Sequence, residues 1–204
     1  MVQLRDAEPP LDWTSVFERP LPVELEIGCG KGLFLEAAAR QRPETGFIGV
    51  EKAGKWFARA VERIWKGRTP NVRLIQGDAF DLLTRWIAPE SLSGVHVYFP
   101  DPWPKKRHAK RRLLQEPLFS LSARGLRRDA HFYLASDVGP YFNQAVEAIS
   151  ALPFYEPIVW PQDAPDRLPT HYAVKFQREG RSLHYAKFRR TAAPYVPPAG
   201  AEPA

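Results

Sequence analysis

The sequence predicts an α/β protein: one open sheet of seven strands with helices packed against it. Short apolar runs alternate with longer stretches of helical spacing along most of the chain, as strands and crossover helices do. The first such run leads directly into a glycine-rich loop and then a helical stretch. Acidic residues also stand at the ends of the first three runs, where open parallel sheets hold ligands.

Taken in order, residues 1–22 contain four prolines and little periodicity, so they are expected to form an extension lying across the domain. The domain proper is expected over 23–190. Strands are predicted at 23–27, 47–50, 72–76, 95–99, 131–135, 155–160 and 183–188. Between the first three lie helical stretches at 32–41 and 55–65, whose apolar residues recur at helical intervals: Leu33 and Ala37, then Phe57, Val61, Ile64 and Trp65. Thr170, preceded by Pro169, reads as a helix N-cap and Gly180 as the matching stop. Residues 191–204 are mostly Ala, Pro and Gly and are expected to be disordered. No internal repeat is found.

A chain of 204 residues suits one domain, and no apolar run approaches the roughly 20 residues needed to span a bilayer. Arg5, Asp6 and Glu8 interrupt the N-terminal segment where a secretory signal needs apolar residues, so a cytoplasmic protein is expected. The single cysteine, Cys29, excludes an internal disulfide and a multi-thiolate metal site. Lysine and arginine exceed acidic residues by 29 to 23, and the excess is gathered in Lys105-Lys106-Arg107-His108-Ala109-Lys110-Arg111-Arg112. Alone, such a run reads as a solvated face. Its neighbours give it a second reading, a surface for nucleic-acid phosphates.

Gly28-Cys29-Gly30-Lys31-Gly32 follows the first strand, with glycines where the chain turns tightly and lets a ligand approach. Dinucleotide-binding and methyltransferase sheets both use such loops. The acids discriminate between them. Glu51, a little over twenty residues after Gly28, is placed to accept hydrogen bonds from ribose hydroxyls, and Asp78 to touch an adenine edge. Glu26, just before the loop, would repel a pyrophosphate but would favour the ammonium and sulfonium of S-adenosyl-L-methionine. The longer glycine signature of a nicotinamide-dependent dehydrogenase is missing.

After the fourth strand comes Phe99-Pro100-Asp101-Pro102-Trp103-Pro104, followed by the basic run. Three prolines in five residues stiffen the backbone and hold Asp101 and Trp103 in set directions. A plain Pro-rich loop with an aromatic plug is the bland alternative. An acid, an aromatic and a basic cluster at a strand end also make up an acceptor site for a nucleic-acid base.

Together with Glu26–Gly32, Gly49-Val50-Glu51, Gly77-Asp78-Ala79, Ser136-Asp137 and the 170–180 segment, this stretch resembles the bacterial tRNA (guanine-N7-)-methyltransferase family over nearly all of 23–190. The glycine loop is shared with many methyltransferases, whereas Asp-Pro-Trp-Pro-Lys followed by His-x-Lys-Arg-Arg is specific to this family. The resemblance implies a Rossmann-like class I methyltransferase fold, its sheet mostly parallel with an antiparallel last strand. It also implies S-adenosyl-L-methionine as cofactor, no metal, and a guanine in the variable loop of tRNA as substrate. On the cofactor side it places Glu26, Glu51, Asp78 and Asp101, beside the loop glycines Gly28 and Gly30, with Asp101 also the catalytic residue. Lys105, Asp137 and Thr170 are then tRNA contacts.

Two positions depart from the family pattern: Ser136 stands where a threonine is usual, and Ala173 where an acid is usual. What that acid contributes is either missing or supplied elsewhere, with Glu179 the candidate. The chemistry otherwise suits the residues. Guanine N7 carries a lone pair and no proton, so Asp101 is expected to orient the base through its N1–H and N2 amino group and not to deprotonate it. Lys106, Arg107, Arg111 and Arg112 join Lys105 as expected phosphate contacts, and Trp103 is expected to stack on or wall the base. The rival readings are a related enzyme with another target, a tRNA-binding subunit without catalysis, and a dehydrogenase. Monomer and homodimer are equally compatible with the sequence.

Overall fold

A computed structural model describes residues 2, 4 and 7–195; the end of the expected disordered tail, 196–204, lies outside the described residues. Among the described residues seven strands form one sheet: β1 (Val23–Ile27), β2 (Gly46–Glu51), β3 (Val72–Gln76), β4 (Leu92–Tyr98), β5 (Leu126–Ser136), β6 (Tyr155–Ile158) and β7 (His184–Arg190). Their order is β3-β2-β1-β4-β5-β7-β6. The pairs from β3 to β5 are parallel, and β7 runs antiparallel to both β5 and β6. The mostly parallel sheet with a reversed last strand is therefore the observed one.

Every residue of β1 is buried, as a central strand covered on both faces demands. The two-residue period sends Val23, Leu25 and Ile27 into one core and Glu24 and Glu26 toward the other. The first core is closed by α1 (Trp13–Phe17), α4 (Ala79–Asp81) with the π-helical turn Leu82–Trp86 that follows it, α5 (Glu116–Gly125) and α6 (Gly139–Ser150). The second lies under α2 (Leu33–Gln41), α3 (Gly54–Gly67) and α7 (His171–Arg178). No described helix is long and apolar enough to cross a membrane.

Sequence periodicity located α2 and α3 but left α5 and α6 unassigned. β4 ends one residue before its expected end because Phe99 turns into the left-handed region at φ 52°. Leu11 and Phe17, from the stretch read as an extension, are buried in the first core, and the Arg73 guanidinium covers the Phe17 ring at 5.2 Å. From the tail, Tyr195 meets Phe154 at 5.8 Å and the Ala193 carbonyl accepts from Arg190.

A polar chain crosses the second core. Arg42 grips Glu24 with both terminal nitrogens, at 2.5 and 2.9 Å. His96 contacts Glu24 through Nε2 and the Tyr98 hydroxyl through Nδ1, both at 2.9 Å. Burial pushes the His96 pKa down, so the neutral ring donates from Nε2 and accepts at Nδ1. Burial opposes the charge on Glu24, but hydrogen bonds from His96 and Arg42 outweigh it and hold its pKa at about 2, below its ordinary 4.5.

A carboxyl whose pKa is depressed on folding stabilises the fold above its unfolded value. That contribution disappears as the pH falls through the folded value. Denaturant titrations should therefore show stability dropping between about pH 4.5 and 2. Glu24→Gln should flatten this acid limb while costing about 3–5 kcal/mol at pH 7, because Arg42 is left unpaired. An unchanged acid limb would show that the network does not contribute it.

Candidate active site

Where β1 ends, the chain turns through Gly28, Gly30 and Gly32 at φ 72°, 53° and 72°, a backbone that side chains strain and glycine adopts freely. The Gly28 and Cys29 amides bond to the Val50 carbonyl, tying the loop to the end of β2. Glu51, the last residue of β2, accepts from the Gly30 amide at 3.0 Å and from the Ala53 amide at 2.8 Å. A carboxylate has about four acceptor positions, so Glu51 anchors the loop and keeps acceptor capacity for a ligand.

Glu26 is 5% exposed, and its Oε2 has no hydrogen-bond partner among the described residues. Burial first, and then the nearby Glu51 charge, push its pKa well above the carboxylate range. Its carboxyl lies in a small recess with Gly28, Gly30, Lys31, Tyr98, Thr170 and His171. Gly28 also borders a larger cavity of about 580 Å³, whose walls include Glu51, Asp78, Trp103, Arg111 and Arg112. That volume is in the range of small-molecule sites.

Asp78 caps α4 by accepting from the Phe80 and Asp81 amides, and it pairs with Lys52 at 3.1 Å. Burial works against its ionisation, but those partners outweigh it and lower its pKa. On the next strand end, Asp101 is exposed and its carboxylate accepts no hydrogen bond among the described residues. Burial raises the Tyr172 pKa, and the charges of Asp101 and Glu51 raise it further. Asp101 and Glu51 thus act on the same side chain at the recess.

The segment that presents Asp101 is tightly constrained. Phe99 and Trp103 both hold positive φ, 52° and 42°, an uncommon conformation for aromatic residues. The Phe99 amide is anchored on the Ala135 carbonyl. Arg112, expected to be a phosphate contact, is turned inward. It donates to the carbonyls of Pro102 and Trp103 and to Gln144 on α6, and covers the Tyr141 ring at 5.7 Å. Arg111 is exposed with its guanidinium 5.1 Å over Trp103, and Lys105 is exposed.

Two other expected contacts are engaged within the chain. Asp137 is held by Arg181 at 2.8 Å, and Thr170 caps α7 by accepting from the Ala173 amide at 2.9 Å. Gly180 and Arg181 donate to the carbonyls of Gln177 and Phe176, the αL stop expected at Gly180. Glu179 does not stand in for the acid missing at Ala173. It lies at the far end of α7, paired with Arg181 and Lys175, whereas Ala173 is buried in the first turn. Tyr98, His171, Lys31 and Trp56, which line the recess, were not singled out from the sequence. For Tyr98, the two-residue alternation with His96 on β4 was the available signal.

A family model described as "Putative methyltransferase" matches residues 20–186. A tRNA (guanine-N(7)-)-methyltransferase of Treponema pallidum subsp. pallidum is 39% identical over 81% of this chain and 66% of its own length. One from Burkholderia pseudomallei is 40% identical over 84% and 64%, and one from Burkholderia vietnamiensis 39% over 89% and 72%. The chain spans just under two thirds of the first of these relatives. Among solved structures, an antibiotic-related methyltransferase aligns with TM-score 0.63 at 16% identity, covering 92% of this chain and 98% of its own. A mutant 16S rRNA (adenine(1408)-N(1))-methyltransferase from Catenulisporales acidiphilia, with cosubstrate, aligns with TM-score 0.62 at 16% identity over 92% and 94%. These structures share the fold.

The geometry separates two neighbouring arginines. Arg112→Ala should cost about 1–3 kcal/mol of stability by leaving loop carbonyls without their donor. Arg111→Ala should stay within about 0.5 kcal/mol of the unmutated protein. Equal midpoints for both variants in a denaturant titration would count against the inward bracing.

Proposed function

This chain belongs to the tRNA (guanine-N(7)-)-methyltransferase family, and from that premise we propose that it methylates N7 of a guanine in tRNA, at the variable loop, in the cytoplasm. The observation that carries this reading is the meeting of Trp103 and residues 110–112 with Glu51 and Asp78 around one cavity, which shares Gly28 with the Glu26 recess, at the carboxyl ends of the parallel strands. S-adenosyl-L-methionine supplies an electrophilic methyl group on a sulfonium. The buried, unpartnered Glu26 carboxyl suits its ammonium, whose charge would draw the raised pKa of Glu26 back down. Glu51 has acceptor capacity for the ribose hydroxyls, and Asp78 stands on the adenine side.

N7 presents a lone pair and no proton, so the site needs alignment and no general base. Asp101, whose carboxylate accepts no hydrogen bond among the described residues and which is held by a braced segment, accepts from the guanine N1–H and N2 amino group. Adenine offers no such pair of donors. Trp103 walls the base, and Lys105 and Arg111 reach backbone phosphates. Arg112 acts through the segment it braces. Asp137 and Thr170 contribute through the Arg181 contact and the α7 cap, and the Thr170 hydroxyl keeps its hydrogen to donate.

The direct test is incubation with unmodified tRNA and labelled methyl donor, followed by identification of the labelled nucleoside. N7-methylguanosine is expected, and label at any other atom, or none, refutes the assignment. Glu51→Ala should weaken donor affinity by about 1–3 kcal/mol and leave tRNA affinity unchanged. Unaltered donor affinity in a calorimetric titration would remove Glu51 from the site. Asp101→Asn puts a donor opposite a base edge that itself donates, so kcat should fall about a hundredfold without rescue at higher pH. A rate within a factor of about three of the original would exclude Asp101 as the orienting residue.

A further inference from the structure

α3 carries Lys55, Arg59, Arg63 and Lys66 at positions i, i+4, i+8 and i+11, so all four lie along one face of the helix. With Lys31 from the glycine loop they border an open groove of about 640 Å³ between α2 and α3, floored at one end by Trp56. Glu36 and Glu62 are its acidic residues, leaving five cations against two carboxylates.

Those carboxylates are already engaged. Glu36 pairs with Arg63 and Arg40, and Glu62 with Arg59 and Lys66. Lys31 and Lys55 have no carboxylate within ion-pair distance among the described residues. Each instead lies over the Trp56 ring, at 5.1 and 5.2 Å. Burial, with the nearby charge of Lys31, lowers the His171 pKa, so the neutral ring accepts from Lys31 at 3.0 Å and steadies it.

The groove adjoins the site. Lys31 and Trp56 border both the groove and the Glu26 recess, and Gly28 borders both the recess and the cavity beneath Trp103. The basic run at 105–112 flanks one side of this continuous depression, and the α3 stripe leads away from the other. From Lys55 to Lys66 the stripe extends about 16 Å.

We propose that the α3 groove is a second RNA-binding surface, which takes the ribose-phosphate backbone of the tRNA flanking the target nucleotide, with Lys55, Arg59 and Lys66 on its phosphates. This rests on the proposed function, since it requires tRNA as substrate. Lys55 on the helix and Lys31 in the glycine loop converge on the Trp56 ring at the entrance to the site, which points their charge toward the mouth. An RNA strand supplies the anionic partner that Lys31 and Lys55 lack among the described residues, and adds phosphates for Arg59 and Lys66, which share the single carboxylate of Glu62. Two basic surfaces on either side of the mouth would hold the substrate by its backbone while Asp101 reads one base.

The test uses the full chain and the Lys55→Ala/Arg59→Ala double variant, neither residue being part of the site described above. Unmodified tRNA is titrated across a salt series. The slope of log affinity against log salt should shrink by about 1.4–1.8 units, and affinity at 0.1 M salt should fall about 25- to 60-fold. Donor affinity and melting temperature should not change. Glu62→Gln releases Arg59 and Lys66 and should tighten tRNA binding, the opposite of what a structural defect would do. If the unmutated protein methylates tRNA but the double variant keeps its salt slope, or Glu62→Gln weakens binding, the groove proposal is overturned and the function stands. If the unmutated protein neither binds nor methylates tRNA, the function fails and the groove proposal falls with it.

Discussion

Burying a carboxylate costs several kcal/mol unless a partner repays it, and β1 buries two on the same face, Glu24 and Glu26. Glu24 is repaid inside the fold by Arg42 and His96, which keep it ionised. Glu26, two residues along and at the edge of the glycine loop, has no such partner among the described residues and takes a raised pKa instead. The same strand thus supplies a structural ion pair and an unmet demand for a cationic ligand. Most of the cofactor-side argument follows from that difference.

Rigidity is the second requirement of the proposed reaction, because a base with no proton to lose depends on where it is held. The 99–112 segment meets that requirement by several independent means. Its prolines restrict the backbone, Phe99 is pinned to β5, and Arg112 bridges the segment to α6. The positive φ values at Phe99 and Trp103 are strain that this bracing sustains. Arg112 is committed to the segment, since its Nε and both terminal nitrogens each donate to a carbonyl or to Gln144.

The parallel sheet, the glycine loop and the acids at the strand ends were legible because each follows from local pattern: alternation, a tight turn, and a fixed distance after the loop. The Thr170 cap and Gly180 stop were legible for the same reason. Arg112 was not, because a basic run looks uniform in sequence while its members face different ways once the segment folds. Asp137 was read as a substrate contact, but Arg181, 44 residues away, holds it, a pairing that only the return of β7 beside β5 creates. α5 buries residues around much of its circumference, which blurs a one-sided helical pattern, whereas α6 keeps one in Tyr141, Ala145 and Ile149 that was legible and was missed. Glu179 was a reasonable stand-in for the absent acid by sequence distance, but α7 carries it to the wrong end.

The distribution of charge follows the same division. Acidic side chains occupy the strand ends around the glycine loop, and the cations lie outside them, on the 105–112 run and along α3. Under the proposed reaction the formal positive charge leaves a sulfonium and appears on the methylated guanine ring. Carboxylates at both ends suit that transfer, with Glu26 near the donor and Asp101 at the acceptor. An electrostatic environment already oriented toward the developing charge lowers the barrier without any proton movement.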